Sequence, residues 1–449
     1  MRIAAAEVIV SSPGRNFVTL KLVTDDGVVG YGDGTVNGRE LAVEGYLQHL
    51  IPVLIGRDAT KIEDTWQYLY RGAYWRRGPI TMASISAVDQ ALWDINAKAL
   101  GVPVHRLLGG TRRDYLMTYP HCTGMSVDEV IAEAAAKLDA GYQAIRVQAA
   151  IPGLATTYGV HAHVAGEETG AYEPASGALP DEEVWDTKLY LDFVPKLVKK
   201  VRDELGYGFE LLHDSHHRLT PIEAGWLGNQ LEPYRMFWLE DATPAEDQAA
   251  FRLIRQHTTT PLAVGEVFNS WFDYQGLITE RLIDFVRTPV THGGGITHLR
   301  QLMGVADFYG FRSGFHGPSD ISPVGMAANC HLGWTIHNFG VQEYMGYPEQ
   351  TSEVFTRFPV VKNGVVVLDD TPGLGVEIDE DAARRFPFEP RYLPVNRKID
   401  ARCTTGDVPR IVWRFRSSGP HGSDGAHHGH RPVHQRYIVA GLTAGATKG

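Results

Sequence analysis

The sequence predicts an α/β fold in which a (β/α)₈ TIM-like barrel follows a small N-terminal α+β domain. Three observations predict it. From Tyr115 onward, eight short β-rich runs alternate with amphipathic segments of helix length. The residues before Tyr115 group strand-like runs first and helical periodicity second. Finally, Asp214, Glu240 and Glu266 each end an apolar run and lie 26 residues apart, about the length of one βα unit.

Length and charge limit the class of protein. A chain of 449 residues is long enough for a barrel and an added domain, and its hydrophobic content of 43% can supply their cores. The formal net charge of −11 argues against nucleic acid or an anionic membrane as the main partner. An anionic small molecule would need cations placed locally at its site.

The sequence indicates neither a targeting signal nor a structural role for its cysteines. The N-terminus MRIAAAEVIVSS alternates like a strand and lacks the apolar core of a signal peptide, and no stretch approaches a membrane span. The three cysteines Cys122, Cys330 and Cys403 are too scattered for a disulfide framework or a thiolate metal site. We therefore expect a cytoplasmic protein.

Residues 1–112 are predicted to form the α+β domain. Three strand-like runs come first, and the turn at Asp25, Asp26 and Gly27 joins the second and third runs as a hairpin. Helical periodicity follows in three segments, the last of which ends at Gly101, a residue suited to terminating a helix. The runs are IAAAEVIV, FVTLKLVT and VVGYGDG, and the helical segments are RELAVEGYLQHLIPVLIG, IEDTWQYLYRGAY and SISAVDQALWDINAKALG.

Residues 113–396 are predicted to form the barrel and its closing segment, with a site in the loops at the C-terminal ends of the strands. One connection is unusually long: about 30 residues rich in Gly, Ala and polar groups, 156–186, precede the next helical pattern. Because structureless stretches of that length are uncommon in compact domains, we predict a lid over the site. The eight runs are YLMTYPH, YQAIRVQ, FELLHD, MFWLED, LAVGE, IDFVRT, FRSGF and FGVQEYMG.

Residues 397–449 are predicted to be an atypical, disordered tail. From Arg402 onward this segment has seven Lys or Arg against two acids, clustered His and Gly, and no clear periodicity. Its histidines could bind a metal ion adventitiously, but we assign them no physiological role.

Asp214, Glu240 and Glu266 are predicted to hold a metal ion. On neighbouring parallel strands their carboxylates would converge, and such groups repel one another unless a cation lies among them. Hard oxygen ligands with no soft ligand nearby indicate Mg²⁺. The alternative is that the three acids merely cap the helices that follow them.

The arrangement resembles the enolase superfamily, in which a small α+β domain precedes a barrel with Asp, Glu and Glu at successive strand ends. Finer strings are similar to its D-mannonate dehydratase family, from the N-terminus to about Asn396. These strings are GRNFVTLK, NGRELAV, GAYWRRGP, AIRVQ, TTYG, LLHDSHHRLTPIEA, FWLEDATPAE, AVGEVFNS, THGGGIT, HGPSD, FGVQEYMG and PGLGVEID.

The resemblance implies proton abstraction next to a carboxylate, and such chemistry yields an enediolate that needs a waiting cation. Many superfamily members carry a Lys-x-Lys pair on the second barrel strand, where this sequence has Arg146, which cannot act as a base. The resemblance instead implies Tyr158 as the base, with Arg146 favouring its phenolate form. His216 is implied as the acid, since the family pattern Asp-x-His selects it over His213 and His217.

The resemblance also implies a ring of substrate-binding side chains around the metal site. Each has an ordinary alternative: Arg287 could neutralise acidic neighbours, His316 could be a core histidine, and Glu343 could belong to a structural salt bridge. Because the sixth strand lacks the acid that pairs with a racemase-type His base, His316 is expected to bind substrate rather than act as a base. The implied binding residues are Asn37, His121, Glu266, Arg287, His316, Asp320 and Glu343.

Two departures from the family affect the expected activity. Pro318 in HGPSD occupies a position where the family varies between Ala and Pro, and the Pro-bearing branch resembles weak or broader-specificity members. A proline there fixes φ and could reshape the loop that presents His316 and Asp320. Family members also end in a short tail whose terminal Trp forms one wall of the site. The sequence leaves open whether Trp413 replaces that Trp.

The sequence therefore predicts a Mg²⁺-dependent dehydratase that converts D-mannonate, with D-gluconate as a candidate second substrate, to 2-keto-3-deoxy-D-gluconate. The resemblance implies a homo-oligomer, such as a tetramer or octamer. Two alternatives stay open: a dehydratase of another hexonate such as altronate, and a catalytically weak metal-binding relative that acts as a sensor or regulator.

Overall fold

The computed structural model describes residues 1–154, 157, 160, 182–367, 369–392 and 395–398. Met1–Val408 forms one compact unit. Tyr158, most of the predicted lid, and the tail with Trp413 lie outside the described residues. The predicted divisions at residues 112 and 396 stay predictions.

The first 110 residues form a three-stranded antiparallel sheet packed on helices, as predicted from the grouped runs. The hairpin turn lies at Asp25 and Asp26, and Gly101 follows the third long helix at φ 65°, the left-handed conformation favoured at a helix C-terminus. That helix starts earlier than predicted because Pro79 suits its first turn. The elements are β1 Ile3–Ser11, β2 Phe17–Thr24, β3 Val29–Asp33, α1 Glu40–Leu54, α2 Ile62–Arg71, α3 Pro79–Ala99 and α4 Val104–Leu107.

The barrel strands fall on the eight predicted runs, and neighbouring strands of the ring are parallel. The first run is divided at Pro120, which has no N–H to donate, into two short strands. One of these pairs with the last barrel strand and the other with the second, so the ring closes. The strands are β4 Tyr115–Tyr119, β5 His121–Gly124, β6 Ala144–Ala149, β8 Glu210–Asp214, β9 Trp238–Glu240, β10 Leu262–Val264, β11 Phe285–Val286, β12 Arg312–Phe315 and β13 Phe339–Glu343, with β7 Glu182–Trp185 outside the ring.

Helices cover the outside of the barrel, and several begin with the caps that their sequences provide. Thr220 and Glu223 form a capping box at the start of one helix, and Ser126 and Ser322 cap two others. The helices are α5 Val127–Asp139, α6 Thr187–Leu205, α7 Pro221–Leu231, α8 Phe251–His257, α9 Trp271–Thr279, α10 Ile296–Phe308 and α11 Pro323–Thr335.

The segment after β13 closes the fold with short elements. Its hairpin extends the barrel sheet next to β4, and its last strand pairs in parallel with β7, at the end of the long connection. These elements are α12 Thr351–Val354, β14 Phe355–Arg357, β15 Val361–Lys362, β16 Val365–Val367, β17 Glu377–Ile378, α13 Glu380–Arg385 and β18 Val395–Lys398.

The N-terminal sheet and helices pack directly on the barrel through buried hydrogen bonds. Trp66 Nε1 donates to the Gly294 carbonyl at 2.7 Å, and Thr291 Oγ1 donates to Asp33 at 2.9 Å. These contacts involve the loop between β11 and α10, so they hold the N-terminal residues beside the C-terminal ends of the strands. Among the described helices, none has the combination of length and apolar character needed to cross a bilayer.

Candidate active site

The barrel register places the first two predicted metal ligands side by side. Asp214 and Glu240 are paired residues at the ends of β8 and β9. Below them, one cluster of buried side chains fills the barrel interior, and from it Trp238 Nε1 donates to Glu240 Oε2 at 2.8 Å. The core therefore fixes the orientation of one oxygen of Glu240.

Glu266 follows β10 after a turn that only glycine can make. Gly265 has φ 130°, and a Cβ there would lie 1.6 Å from the hydroxyl of Tyr274. That hydroxyl donates to the Val264 carbonyl at 3.0 Å and accepts from the Arg287 backbone N–H at 3.2 Å. Tyr274, on α9, thereby braces the strand ends that present Glu266 and Arg287.

A cavity of roughly 70 Å³ opens at these strand ends, and most of the predicted site residues line it. Glu240 and Arg287 lie fully buried behind its wall. Tyr158 lies outside the described residues, so the structure does not place it. The residues that line the cavity are Arg15, Asn37, His121, Arg146, Asp214, His216, Glu266, His316, Pro318, Asp320 and Glu343.

Arg146 brings a permanent positive charge to the cavity wall. Its Nη1 donates to Asp214 Oδ2 at 2.8 Å and lies 4.0 Å from Glu240 Oε1 and 3.9 Å from Glu343 Oε1. Burial opposes this charge, but the carboxylates of Asp214, Glu240 and Glu343 raise the pKa of Arg146 above its ordinary value. Arg146 is therefore a charge-stabilising group, consistent with its exclusion as a base.

Arg287 connects three carboxylates beneath the cavity. Its Nη2 forms an ion pair with Glu240 and lies 3.3 Å from Glu266 Oε2 and 2.9 Å from Glu343 Oε2. Burial opposes the charge of Arg287, but Glu240 and Glu343 raise its pKa well above the ordinary value. The alternative noted for Arg287, that it neutralises acidic neighbours, matches these contacts.

His316 lies in a network of carboxylates. Its Nε2 is 2.8 Å from Asp320 Oδ2, while its Nδ1 is 3.1 Å from Glu266 Oε2 and 3.2 Å from Glu343 Oε2. Burial favours the neutral ring, but Asp320 and Glu266 raise the pKa of His316 well above its usual range. The acidic partner absent from strand six is therefore supplied by the loop of His316 itself, and the ring is cationic in this setting.

The other two histidines that line the cavity are neutral near pH 7. Burial lowers the pKa of His121 to about 4, although its Nε2 lies 2.5 Å from Glu343 Oε1. Burial also lowers the pKa of His216 to about 4. The backbone N–H of His216 donates to Asp214 Oδ1 at 2.6 Å, and its Nε2 lies 3.8 Å from Glu266 Oε1.

The two competitors of His216 point elsewhere. His213 is buried under the wall, with Nδ1 2.9 Å from the Val147 carbonyl and Nε2 2.8 Å from the hydroxyl of Tyr190. His217 directs Nδ1 to the Thr243 carbonyl at 3.1 Å. Of the three, only His216 lines the cavity.

The acidic groups suit a divalent cation. Ligand oxygens of Asp214, Glu240 and Asp241 lie within 4.8 Å of one another, while Glu266 groups with Asp241 and His217. Burial raises the pKa of Glu240 to about 8, and both carboxylate oxygens of Asp241 are buried without a hydrogen-bond partner. Since the donor set is rich in hard oxygen, the site fits Mg²⁺.

Sequence reasoning missed two residues of this region. Asp241 directly follows Glu240, and this second acid at the end of β9 was the available signal. Arg15 reaches the cavity from the N-terminal domain, and its Nη1 donates to Ser319 Oγ at 3.2 Å. Ser319 follows Pro318 and has φ 100°, so the loop carrying Asp320 is held in a conformation that non-glycine residues rarely adopt.

Two family models together match most of the described chain. Residues 7–109 match the N-terminal domain of mandelate racemase and muconate lactonizing enzyme, and residues 129–382 match the enolase C-terminal domain-like family. The two matched regions correspond to the α+β unit and to most of the barrel.

Individual relatives cover the chain to a similar extent. A D-mannonate dehydratase from Rhizorhabdus wittichii is 57% identical over 401 residues, 89% of this chain and 98% of the relative. A D-galactonate dehydratase family member from Pseudarthrobacter chlorophenolicus is 54% identical over 403 residues, again 89% and 98% of the two chains. Among solved structures, an enolase from Pantoea ananatis with bound D-gluconate and Mg is 35% identical with a TM-score of 0.82, covering 90% of this chain and 99% of the other.

Proposed function

Because this chain belongs to the mandelate racemase and muconate lactonizing enzyme family of the enolase superfamily, we propose that it dehydrates D-mannonate to 2-keto-3-deoxy-D-gluconate. D-gluconate is the candidate second substrate, supported by the ligand of the Pantoea ananatis structure. The observation that carries the proposal is the cavity at the strand ends, where Arg146, His216 and acidic ligands face one small volume. A sugar acid hydro-lyase needs these groups.

Asp214, Glu240 and Glu266 would hold one Mg²⁺ ion at this cavity. When bound, the ion supplies electrostatic stabilisation for the negative charge that develops on the substrate carboxyl group as the C2 proton leaves. The cavity lining has the four carboxylates of Asp214, Glu266, Asp320 and Glu343, against two guanidinium groups and the cationic ring of His316. An anionic substrate would be repelled by this excess of negative charge, which supports the requirement for a cation.

Tyr158 is proposed to remove the C2 proton, with Arg146 favouring its phenolate form. Arg146 lines the cavity and keeps its charge because Asp214 and two further carboxylates surround it. A phenol brought against this guanidinium would have a lowered pKa, since an adjacent cation stabilises the ionised form. The resulting enediolate would then lose its 3-hydroxyl.

His216 is proposed to protonate the departing 3-hydroxyl. The backbone N–H of His216 donates to Asp214, which holds the backbone from which the ring reaches the cavity. In the substrate-free protein burial keeps this ring neutral. An anionic substrate beside His216 favours the imidazolium form, so the ring can take up the proton that it later donates.

The remaining polar groups are proposed to bind the hydroxyl groups of the sugar acid. His121 and Glu343 form one pair and His316 and Asp320 another, so each pair offers both a donor and an acceptor to a polyhydroxylated ligand. Asn37 adds an amide from the N-terminal domain. Arg287 would act from behind by holding the carboxylates of Glu266 and Glu343 in place.

A panel of acid sugars tests this function. The full-length protein is incubated with D-mannonate, D-gluconate, altronate and other hexonates, and the 2-keto-3-deoxy product is measured with Mg²⁺ and after removal of divalent cations by a chelator. We expect product from D-mannonate, loss of activity with the chelator and recovery on addition of Mg²⁺.

The other outcomes separate the alternatives. Product from altronate alone would indicate a dehydratase of another hexonate. Binding of acid sugars without product after long incubation would indicate a sensor or regulator, and activity that survives the chelator would contradict the metal assignment.

Pro318 favours modest turnover with D-mannonate, since it lies in the strained loop of Asp320. A homo-oligomer, such as a tetramer or octamer, also stays a prediction.

A further inference from the structure

We propose that His217, Asp241 and Glu266 form a second divalent-cation site, next to the carboxylates assigned to Mg²⁺. Ligand atoms of these three residues lie within 4.8 Å of one another. His217 is 7% exposed and Asp241 is fully buried, so neither is satisfied by bulk water. Asp241 also groups with Asp214 and Glu240. Glu266, proposed above as a Mg²⁺ ligand, would be shared between the two metal ions.

The orientation of His217 is that of a metal ligand. Its Nδ1 lies 3.1 Å from the Thr243 carbonyl oxygen, which can only accept, so the ring hydrogen belongs on Nδ1. The lone pair of Nε2 then faces Asp241 Oδ2 at 3.3 Å. Histidines that bind metals commonly donate their other ring N–H to a backbone carbonyl in this way, which fixes the tautomer.

The burial of Asp241 is a second, independent reason to place a metal ion here. Both of its carboxylate oxygens are buried without a hydrogen-bond partner, and Nε2 of His217 is likewise without one. A buried carboxylate that accepts no hydrogen bond and lies among other carboxylates is costly. A cation between Asp241, His217 and Glu266 would satisfy all of these atoms at once.

A neighbouring cavity reaches the site at His217, and the ligand atoms indicate the type of metal. A cavity of roughly 570 Å³, distinct from the one lined by Asp214 and His216, is lined by His217, Thr243 and Val267 among others. One imidazole nitrogen with two carboxylates suits Mn²⁺, Zn²⁺ or Fe²⁺ better than Mg²⁺, which prefers oxygen ligands and retained water. The second site is therefore assigned to a transition metal.

Metal counting on the full-length chain tests the proposal. The chelator-treated protein is titrated with Mn²⁺ and, separately, with Mg²⁺, and tight sites per chain are counted by calorimetry for the native sequence, His217→Gln and Asp241→Asn. We expect the native chain to bind one more Mn²⁺ than either variant, whereas the Mg²⁺ count is equal in all three. The histidines of the C-terminal tail are present in every protein and cancel in the comparison.

His337→Gln is the matched control, because His337 is exposed and pairs only at the surface with Asp307. It should leave both counts unchanged. Equal Mn²⁺ counts in the native chain and in His217→Gln would overturn the proposal. So would weaker Mg²⁺ binding in the variants with no change in the number of Mn²⁺ ions, since His217 and Asp241 would then serve the first site.

A measurement on the native chain covers the case in which a variant does not fold. Two Mn²⁺ ions bridged by one carboxylate lie about 4 Å apart, and their electron spins couple. The electron paramagnetic resonance spectrum of the chain loaded with excess Mn²⁺ and freed of loose metal should show this coupling. A spectrum of isolated Mn²⁺ alone would contradict a shared Glu266.

Discussion

His216 and His217 are adjacent in the sequence, but their side chains lie in different surroundings. Both have positive φ, 51° and 61°. This pair of left-handed residues after β8 turns one side chain into the cavity of the candidate active site and the other towards Thr243 and Asp241. Composition alone left His213, His216 and His217 as competitors. The family pattern selected His216, and the structure places that ring at the cavity.

Replacing His216 tests its role as the acid. We expect His216→Asn to lower turnover of D-mannonate by about 10²–10⁴-fold, the usual contribution of a positioned proton donor, while Mg²⁺ affinity stays close to native. Steady-state kinetics and calorimetry measure the two quantities. His337→Asn, a surface substitution, should leave both unchanged. A normal rate for His216→Asn would remove this residue from the mechanism.

Tyr158 is tested by isotope exchange, because exchange reports proton removal separately from dehydration. In deuterated solvent, Tyr158→Phe should bind Mg²⁺ normally but lose incorporation of deuterium at C2, since phenylalanine has no ionisable group. Tyr172→Phe, in the same long connection, should retain exchange. Unchanged exchange in Tyr158→Phe would refute its assignment as the base.

At the scale of elements, the N-terminal sheet meets its helix at glycine positions. Gly32 on β3 lies directly against α3, where a Cβ would be 1.8 Å from the Ala87 carbonyl oxygen and 2.7 Å from its carbonyl carbon. Neither is a flexible side chain that could move aside. The close packing of β3 on α3 therefore depends on the absence of a side chain at residue 32.

Gly32→Ala should lower the free energy of unfolding by at least about 2 kcal/mol, because backbone atoms must separate to admit the methyl group. Urea denaturation followed by circular dichroism measures the change. Gly304→Ala is the matched control: Gly304 lies in α10 with nothing within 4 Å of its added Cβ. That substitution should raise stability by about 0.5–1 kcal/mol, and equal effects of the two would contradict this account.

The ends of the barrel strands also depend on a glycine. Gly265 permits the turn before Glu266, and the hydroxyl of Tyr274 holds β10 and β11 together just below it. The run LAVGE predicted an acid at a strand end. It did not indicate that the carboxylate would turn towards His316 and Arg287, because those partners come from later strands.

At the scale of the whole molecule, Asp89 links the two parts of the fold. It lies on α3, and its carboxylate accepts from the backbone N–H of Thr297 at the start of α10, at 3.0 Å. Burial raises the pKa of Asp89 to about 7, and Thr297 offsets this only in part. The interface between the N-terminal helices and the barrel thus contains an acid that favours its neutral form.

The pH dependence of stability follows from this pKa. In the unfolded chain Asp89 ionises near its ordinary pKa, about 4. Below that pH the neutral carboxyl makes its full contribution to the free energy of unfolding. The contribution is lost as the pH rises towards about 7, the pKa of Asp89 in the folded chain. The loss amounts to roughly 4 kcal/mol at most.

Asp89→Asn should remove this contribution, because an amide does not ionise. Urea denaturation at pH 5 and pH 8 measures it: the fall in unfolding free energy between the two pH values should be smaller in the variant than in the native chain. An equal fall in both proteins would show that Asp89 ionises without penalty in the folded state.

Local sequence patterns were sufficient to predict the order of the structural elements. Alternation and periodicity gave the three N-terminal strands, the eight barrel strands and the acids at their ends, since these patterns depend on which face of each local element is buried. The match of the family models to residues 7–109 and 129–382 confirms the enolase superfamily that this order of parts indicated. The finer motifs agree with the 57% identity to a D-mannonate dehydratase.

The contacts between side chains became known only from the three-dimensional structure. Arg287 joins Glu240, Glu266 and Glu343, and His316 acquires Asp320 and two further acids, through contacts between residues far apart in the chain. Asp241 became visible as a candidate ligand because its burial leaves both oxygens without partners. Local patterns record burial and turn preference, whereas charge pairing depends on barrel closure, which brings distant strand ends to one point.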